Sequence, residues 1–192
     1  MRDGLDELLE RIETICRSGH AQELRVAKTA LERDKLWAGR KGAFAAMGRL
    51  SPDYYVQDGV IPRTRLPDIL RLVKEAGVRH RLRVANVFHA GDGNLHPLIL
   101  FDSRLGPDEL ERAKAAGLEI LTACVEAGGS ITGEHGVGME KNCYMPLQFG
   151  SSDLAAMRRV KDAFDPDGLM NPGKIFPTPS RCREFAFAAT AR

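Results

Sequence analysis

His89-Ala90-Gly91-Asp92-Gly93-Asn94-Leu95-His96 is the stretch that decides how this chain reads. Asp-Gly between two extended, apolar segments is a strong signal for a two-residue hairpin turn, because both central positions favour positive φ. A turn closed on Asp92 and Gly93 predicts that Gly91 pairs with Asn94, Ala90 with Leu95 and His89 with His96. Directly opposed residues share a face, with Cβ atoms about 5 Å apart. Two imidazoles so placed form half of a metal site.

Outward from the hairpin, the pattern alternates strands and helices. Arg81 to His89 and Asn94 to Phe101 are its two arms. Upstream, Leu5, Leu8, Leu9, Ile12 and Ile15 recur at helical spacing and stop at Ser18-Gly19. Glu23 to Lys28 reads as a short strand, Ala30 to Met47 as a helix, and Tyr54 to Ile61 as a strand crossing Asp58-Gly59. Leu66 to Ala76 reads as a helix closed by Gly77. Downstream, Gly106-Pro107-Asp108 opens a helix to about Ala127, residues 128–138 are loop, and shorter helices follow near 139–149 and 152–164. Residues 165–174 are turn-forming almost throughout, and the tail after Pro177 is expected to fray. The fold class expected is α+β: a ferredoxin-like antiparallel sheet with helices on one face, plus a C-terminal helical segment.

Composition narrows the class. The 192 residues are 43% hydrophobic and 28% charged, as in ordinary globular chains. Lys and Arg exceed Asp and Glu by only 28 to 26, interspersed, which argues against nucleic acid as a partner. No apolar run approaches the roughly 20 residues of a transmembrane segment, and the N-terminus does not read as a signal peptide. Cys16, Cys124, Cys143 and Cys182 show no metal spacing, so free thiols and a cytoplasmic location are expected.

A second glycine-rich run, Gly133-Glu134-His135-Gly136-Val137-Gly138, supplies a carboxylate and a third imidazole. His89, His96 and Glu134 together would be two imidazoles and a carboxylate with a position left open, a catalytic ligand set suited to zinc, iron or manganese. His135, held beside a metal-bound substrate, is the natural general base. The competing reading has the histidines simply capping a hairpin. The turn alone accounts for Asp92 and Asn94 as well as a ligand role would. Arg40, Arg63 and Arg65 are candidates for an anionic substrate. Neither a GxGxxG strand–helix turn, a P-loop nor a nucleophile elbow is present.

These runs resemble the C-terminal region of FAD-linked oxidases of the vanillyl-alcohol oxidase superfamily, together with Phe164-Asp165-Pro166 and Leu169-Met170-Asn171-Pro172-Gly173-Lys174-Ile175. The group includes the glycolate oxidase flavin subunit, D-lactate dehydrogenases and D-2-hydroxyglutarate dehydrogenase. Trp37-Ala38-Gly39-Arg40-Lys41, Ser51-Pro52-Asp53-Tyr54-Tyr55 and Asp58 to Arg63 look closest to the first of these. The resemblance implies metal ligands at His89, His96 and Glu134, a proton acceptor at His135, a substrate-carboxylate contact at Arg40, and flavin contacts from Asn171 and Lys174. It implies hydride transfer from a small D-2-hydroxy acid to FAD, and an iron-sulfur partner subunit. Val56 stands where the 2-hydroxyglutarate enzymes carry a lysine, which favours a smaller acid. It divides the chain into a substrate-binding cap (1–138), a flavin-contacting helical segment (139–177) and a tail (178–192). An N-terminal FAD-binding domain is expected to be absent, leaving that role to a domain supplied in trans or lost. A metal-dependent hydrolase and an inactive remnant or interaction module are the alternatives from other classes.

Overall fold

Pro97-Leu98-Ile99-Leu100-Phe101 is apolar at every position, and its first four residues are buried, as a strand covered on both faces requires. This strand, β5, is the centre of a three-stranded antiparallel sheet in the computed structural model, which describes residues 4–178 and Cys182. On one side lies β1 (Asp53–Val56), with Tyr55 opposite Ile99. On the other lies β3 (Arg83–Asn86), with Val84 opposite Ile99. A second, two-stranded sheet pairs β2 (Gly59–Val60) with β4 (Asn94–Leu95).

Helices α4 (Leu66–Arg79) and α5 (Pro107–Glu126) cover one face. Ile69, Val73 and Ala76 of α4 and Ala113, Ala116, Ile120 and Cys124 of α5 form one core with Ile99 and the partly buried Tyr55 and Val84. The small residues of α5 let its backbone come close: a Cβ on Gly117 would lie 2.6 Å from Nε2 of Gln57. A second core joins Leu121 and Ile131 to Tyr144 and Met145, with Leu154 and Met157 of α7 (Ser151–Phe164) against it. Between them run a 3-10 turn, Asn142–Tyr144, and the short α6 (Met145–Gln148). The fold is α+β. The connectivity β1–α4–β3–β5–α5, with β5 central, follows the ferredoxin-like alternation. A single antiparallel bridge between Val60 and Ser130 follows α5, where a fourth strand would come.

Residues 1–43 form a unit separate from residues 44–192. It contains α1 (Leu5–Ser18) and α2 (Ala30–Lys41); α3 (Ala43–Met47) follows. Thr29 and Glu32 close a reciprocal capping box at the start of α2, each side chain accepting the other's backbone N–H. The apolar stripe of α1 is exposed.

Several expectations are corrected. Glu23 to Lys28 is not a strand, since it finds no sheet partner among the described residues. The helix expected over 30–47 breaks at Gly42. Gly77 does not end α4; it lies inside the helix, where a Cβ would meet the Leu82 carbonyl and Val84 at 3.0 Å. The helix expected over 139–149 shrinks to one short turn on either side of Tyr144, because Lys141 and Asn142 are drawn into the interior. Nor are all four thiols free: Cys143 and Cys182 form a disulfide with Cα atoms 5.3 Å apart, a pairing across 39 residues that spacing does not announce. The tail expected to fray lies, apart from Thr178 and Cys182, outside the described residues. Among the described residues no helix is long and apolar enough to cross a membrane.

Candidate functional site: three histidines around one carboxylate

The hairpin closes differently from the simplest expectation. The β3–β5 register carries through to a bridge between His89 and Asn94, so the loop is the four residues 90–93, and Val87 takes the carbonyl of His96. Relative to a turn on Asp92-Gly93 alone, the pairing has slipped by two residues. A slip of one would turn every side chain over; a slip of two preserves the face. His89 and His96 are therefore diagonal neighbours on one face, with ring centroids 5.5 Å apart and planes near perpendicular. Gly93 makes the turn possible, with φ +72° and a Cβ position 2.1 Å from the Ile61 carbonyl, which receives no side chain.

His96 is buried at 3% exposure, immediately before β5. Its Nδ1 lies 3.3 Å from the carbonyl oxygen of Gln57, which can only accept. Its Nε2 faces Glu134 Oε1, 2.8 Å away. The same oxygen has His89 Nε2 at 3.6 Å and His135 Nε2 at 3.7 Å. His135 stacks on His96 with centroids 4.8 Å apart and planes 9° from parallel. The carboxylate and the outer two imidazoles are about half exposed, so the cluster opens to solvent on one side.

Asp58 holds this arrangement. Its carboxylate, 1% exposed, accepts from the Thr132 hydroxyl (2.6 Å) and the backbone N–H groups of Gly133 (3.1 Å), Glu134 (3.2 Å) and His135 (2.9 Å). Lys141 Nζ adds a buried ion pair at 3.2 Å. Burial by itself would raise the Asp58 carboxyl. The Thr132 hydroxyl, the His135 amide and the Lys141 charge outweigh it and hold the group ionised far below the usual carboxylate range. Burial pulls the Lys141 ammonium below its ordinary range, against the attraction of Asp58.

The donor set suits a divalent cation. Asp58, His96, Glu134 and His135 offer ligand atoms all within 4.8 Å of one another. Metal–ligand bonds of about 2.0–2.2 Å put neighbouring ligand atoms roughly 3.0–3.5 Å apart, close to the spacing of the three Nε2 atoms about Oε1. His96 Nε2 and the carboxylate oxygen, 2.8 Å apart, share either a proton or a cation between them. Against Gly133, where a Cβ would fall 2.6 Å away, lies Asn94 Oδ1, buried and without a hydrogen-bond partner.

Residues 2–175 match the family of FAD-linked oxidases, C-terminal domain. The chain belongs to that family. Glycolate oxidase subunit GlcD of Escherichia coli K12 is 53% identical over 181 residues, which are 94% of this chain and 36% of that protein. The GlcD of Bacillus subtilis is 37% identical over 178 residues (93% and 38%). The mitochondrial D-lactate dehydrogenase (cytochrome) 1 of Saccharomyces cerevisiae is 29% identical over 180 residues (91% and 30%). The chain thus spans about a third of the length of the curated relatives it matches.

In this FAD-linked oxidase C-terminal domain the expected site residues divide into three groups. His89, His96, Glu134 and His135 come together. Asn171 (φ 46°) and Lys174 lie in a loop whose next residue, Ile175, donates to the carbonyl of Gly138 at the end of the Glu134–His135 run. Arg40 lies in the last turn of α2, in the separate unit of residues 1–43. Arg63 donates to the Gly91 carbonyl and Arg65 pairs with Asp68. The exposed Asp92 forms no side-chain hydrogen bond or ion pair among the described residues, which leaves it the turn role. Asp58, Thr132 and Lys141 were missed. An Asp-Gly inside the strand expected over Tyr54 to Ile61 was the available signal, and the strand reading simply crosses it.

Proposed function

We propose that this chain is the C-terminal part of a flavin-dependent 2-hydroxy-acid dehydrogenase or oxidase of the glycolate or D-lactate type. Family membership and the convergence of three imidazole Nε2 atoms on one Glu134 oxygen support this reading. His89, His96 and Glu134 would hold a divalent cation, which supplies Lewis-acid polarisation of the substrate hydroxyl and carboxylate, while FAD, bound mainly by a separate domain, supplies the electron acceptor. The residues of this chain do the rest. With the cation on Nε2, the Gln57 carbonyl would hold the His96 proton on Nδ1, and Asp58 fixes the Glu134–His135 backbone from behind. His135, half exposed beside Glu134, receives the hydroxyl proton at Nε2. Arg40 binds the substrate carboxylate. Residues 1–138 act as the cap and 139–177, with Asn171 and Lys174, as the flavin-contacting segment. An iron-sulfur subunit is the partner expected from the likeness to glycolate oxidase.

Combining the purified chain with the flavin-binding portion of a relative tests the assignment. Dye reduction by glycolate or D-lactate is expected only when both parts, FAD and a divalent metal are present, and is lost in His135→Ala. Turnover by the chain alone, or activity unchanged in that variant, overturns it.

A further inference from the structure

The far end of the same sheet carries a second concentration of charge. A cavity of about 620 Å³ opens where β1 and β3 begin and β5 ends, at the opposite end of β5 from His96. Arg49, Arg81, Arg83 and Arg104 line it. Its two carboxylates are already engaged: Asp102 accepts from Arg104 at 2.8 and 2.6 Å, and Glu109 accepts from Arg112. Among the described residues no ion pair involves Arg49, Arg81 or Arg83; Arg83 donates one bond to the carbonyl of Leu50. Three arginines with no ion-pair partner among the described residues therefore line one cavity.

Arg81 adds an independent observation. It follows the end of α4, where Leu82 N–H bonds to the Gly77 carbonyl (2.8 Å) and Arg81 N–H to that of Val78 (3.1 Å). Helices that close this way place a left-handed residue at that point, and glycine adopts it without strain. Arginine stands there with φ 56°. A left-handed backbone kept at a residue with a long charged side chain, on the lining of a cavity, points to use of that side chain.

We infer that this cavity binds a small anion carrying two or more phosphate or carboxylate groups. Guanidinium forks match both groups bidentately, and the volume lies in the range of about 300–1,000 Å³ usual for small-molecule sites. Leu82, Leu100 and Phe101 in the lining offer apolar surface to a carbon skeleton. The site shares no residue with the histidine cluster and does not rest on the reading of that cluster.

Calorimetric titration of the full chain, stripped of metal with EDTA, tests the inference with pyrophosphate and citrate as the two probes. Saturable one-to-one binding of at least one is expected, weaker at higher salt; which one binds separates phosphate from carboxylate recognition. Arg81→Gly should weaken binding roughly tenfold, the loss of one charged hydrogen bond. It should also leave the unfolding midpoint unchanged or higher, because glycine relieves the left-handed backbone; this separates lost binding from lost folding. The double change Arg49→Ala and Arg83→Ala should abolish binding. Arg71→Ala, on α4 and already paired with Asp68, should not affect it. No saturable binding of either probe overturns the inference, as does equal weakening by Arg71→Ala, or binding unchanged in Arg81→Gly. Capture of a polyglutamate peptide with neither small anion bound overturns it too.

Discussion

Asp58→Asn is the substitution that most directly tests how the site is held. It keeps shape and volume and removes one charge. Oδ2 accepts from Thr132, Gly133, His135 and Lys141, and the Glu134 N–H is shared between Oδ1 (3.2 Å) and Oδ2 (3.3 Å). The best orientation of an amide keeps its oxygen at the Oδ2 position, which turns the NH2 group toward the Glu134 N–H, donor against donor. That N–H keeps only its longer bond to the Oδ2 position, so its weakening costs at most the roughly 1–3 kcal/mol of a fully lost partner. Lys141, whose side chain is 8% exposed, is then left as a buried ammonium without its counter-charge, and breaking such a pair costs about 3–5 kcal/mol. The two losses share the same group and do not add in full, so the expected destabilisation is about 3–5 kcal/mol, a large part of the roughly 5–15 kcal/mol of a typical domain. Urea unfolding at pH 7, followed by circular dichroism, measures it. Fluorescence of Trp37 would report the unit of residues 1–43 instead. Lys141→Met in the Asp58→Asn background should recover part of the loss. A single-variant loss below about 1 kcal/mol, or strictly additive effects, would refute the role given to this pair.

Acid should erase the same difference. Folding lowers the Asp58 pKa, so the unfolded chain binds more protons as the pH falls; the stabilisation is complete above about pH 4 and declines on acidification, and wild type and Asp58→Asn should converge there in an acid titration of unfolding free energy. Elemental analysis should find one divalent ion per wild-type chain, with affinity in His96→Ala reduced beyond the roughly 10–100-fold typical of losing an outer partner; equal occupancy would remove the metal site. Gly93→Ala should destabilise by about 2–4 kcal/mol in thermal or urea unfolding, because it combines positive φ with a Cβ 2.1 Å from the Ile61 carbonyl. Thiol titration should show Cys16 reacting in the native chain and Cys124, whose pKa burial pushes up to about 12, reacting only on unfolding. Cys143 and Cys182 should need a reductant as well.

Local rules carried a good part of this protein. The Asp92-Gly93 turn signal located the hairpin, and the two-residue period put His89 and His96 on one face whether the loop held two residues or four. The apolar rows of α4 and α5, with Pro107 at the start of the latter, are one-turn patterns that a sequence displays openly. Tertiary structure decided what distance in the chain conceals. The loop became four residues because β3 pairs with β5 in a register set by Val84 and Ile99 packing beneath α4 and α5, not by the turn. Asp58 became the anchor of the site through donors 74 to 83 residues away, and Lys141 left its expected helix to reach it. The hydrogen bonds of a helix or a turn extend over about four residues, so their signals are written locally. A buried carboxylate draws its donors from wherever the chain returns, and only the closed fold specifies which residues those are.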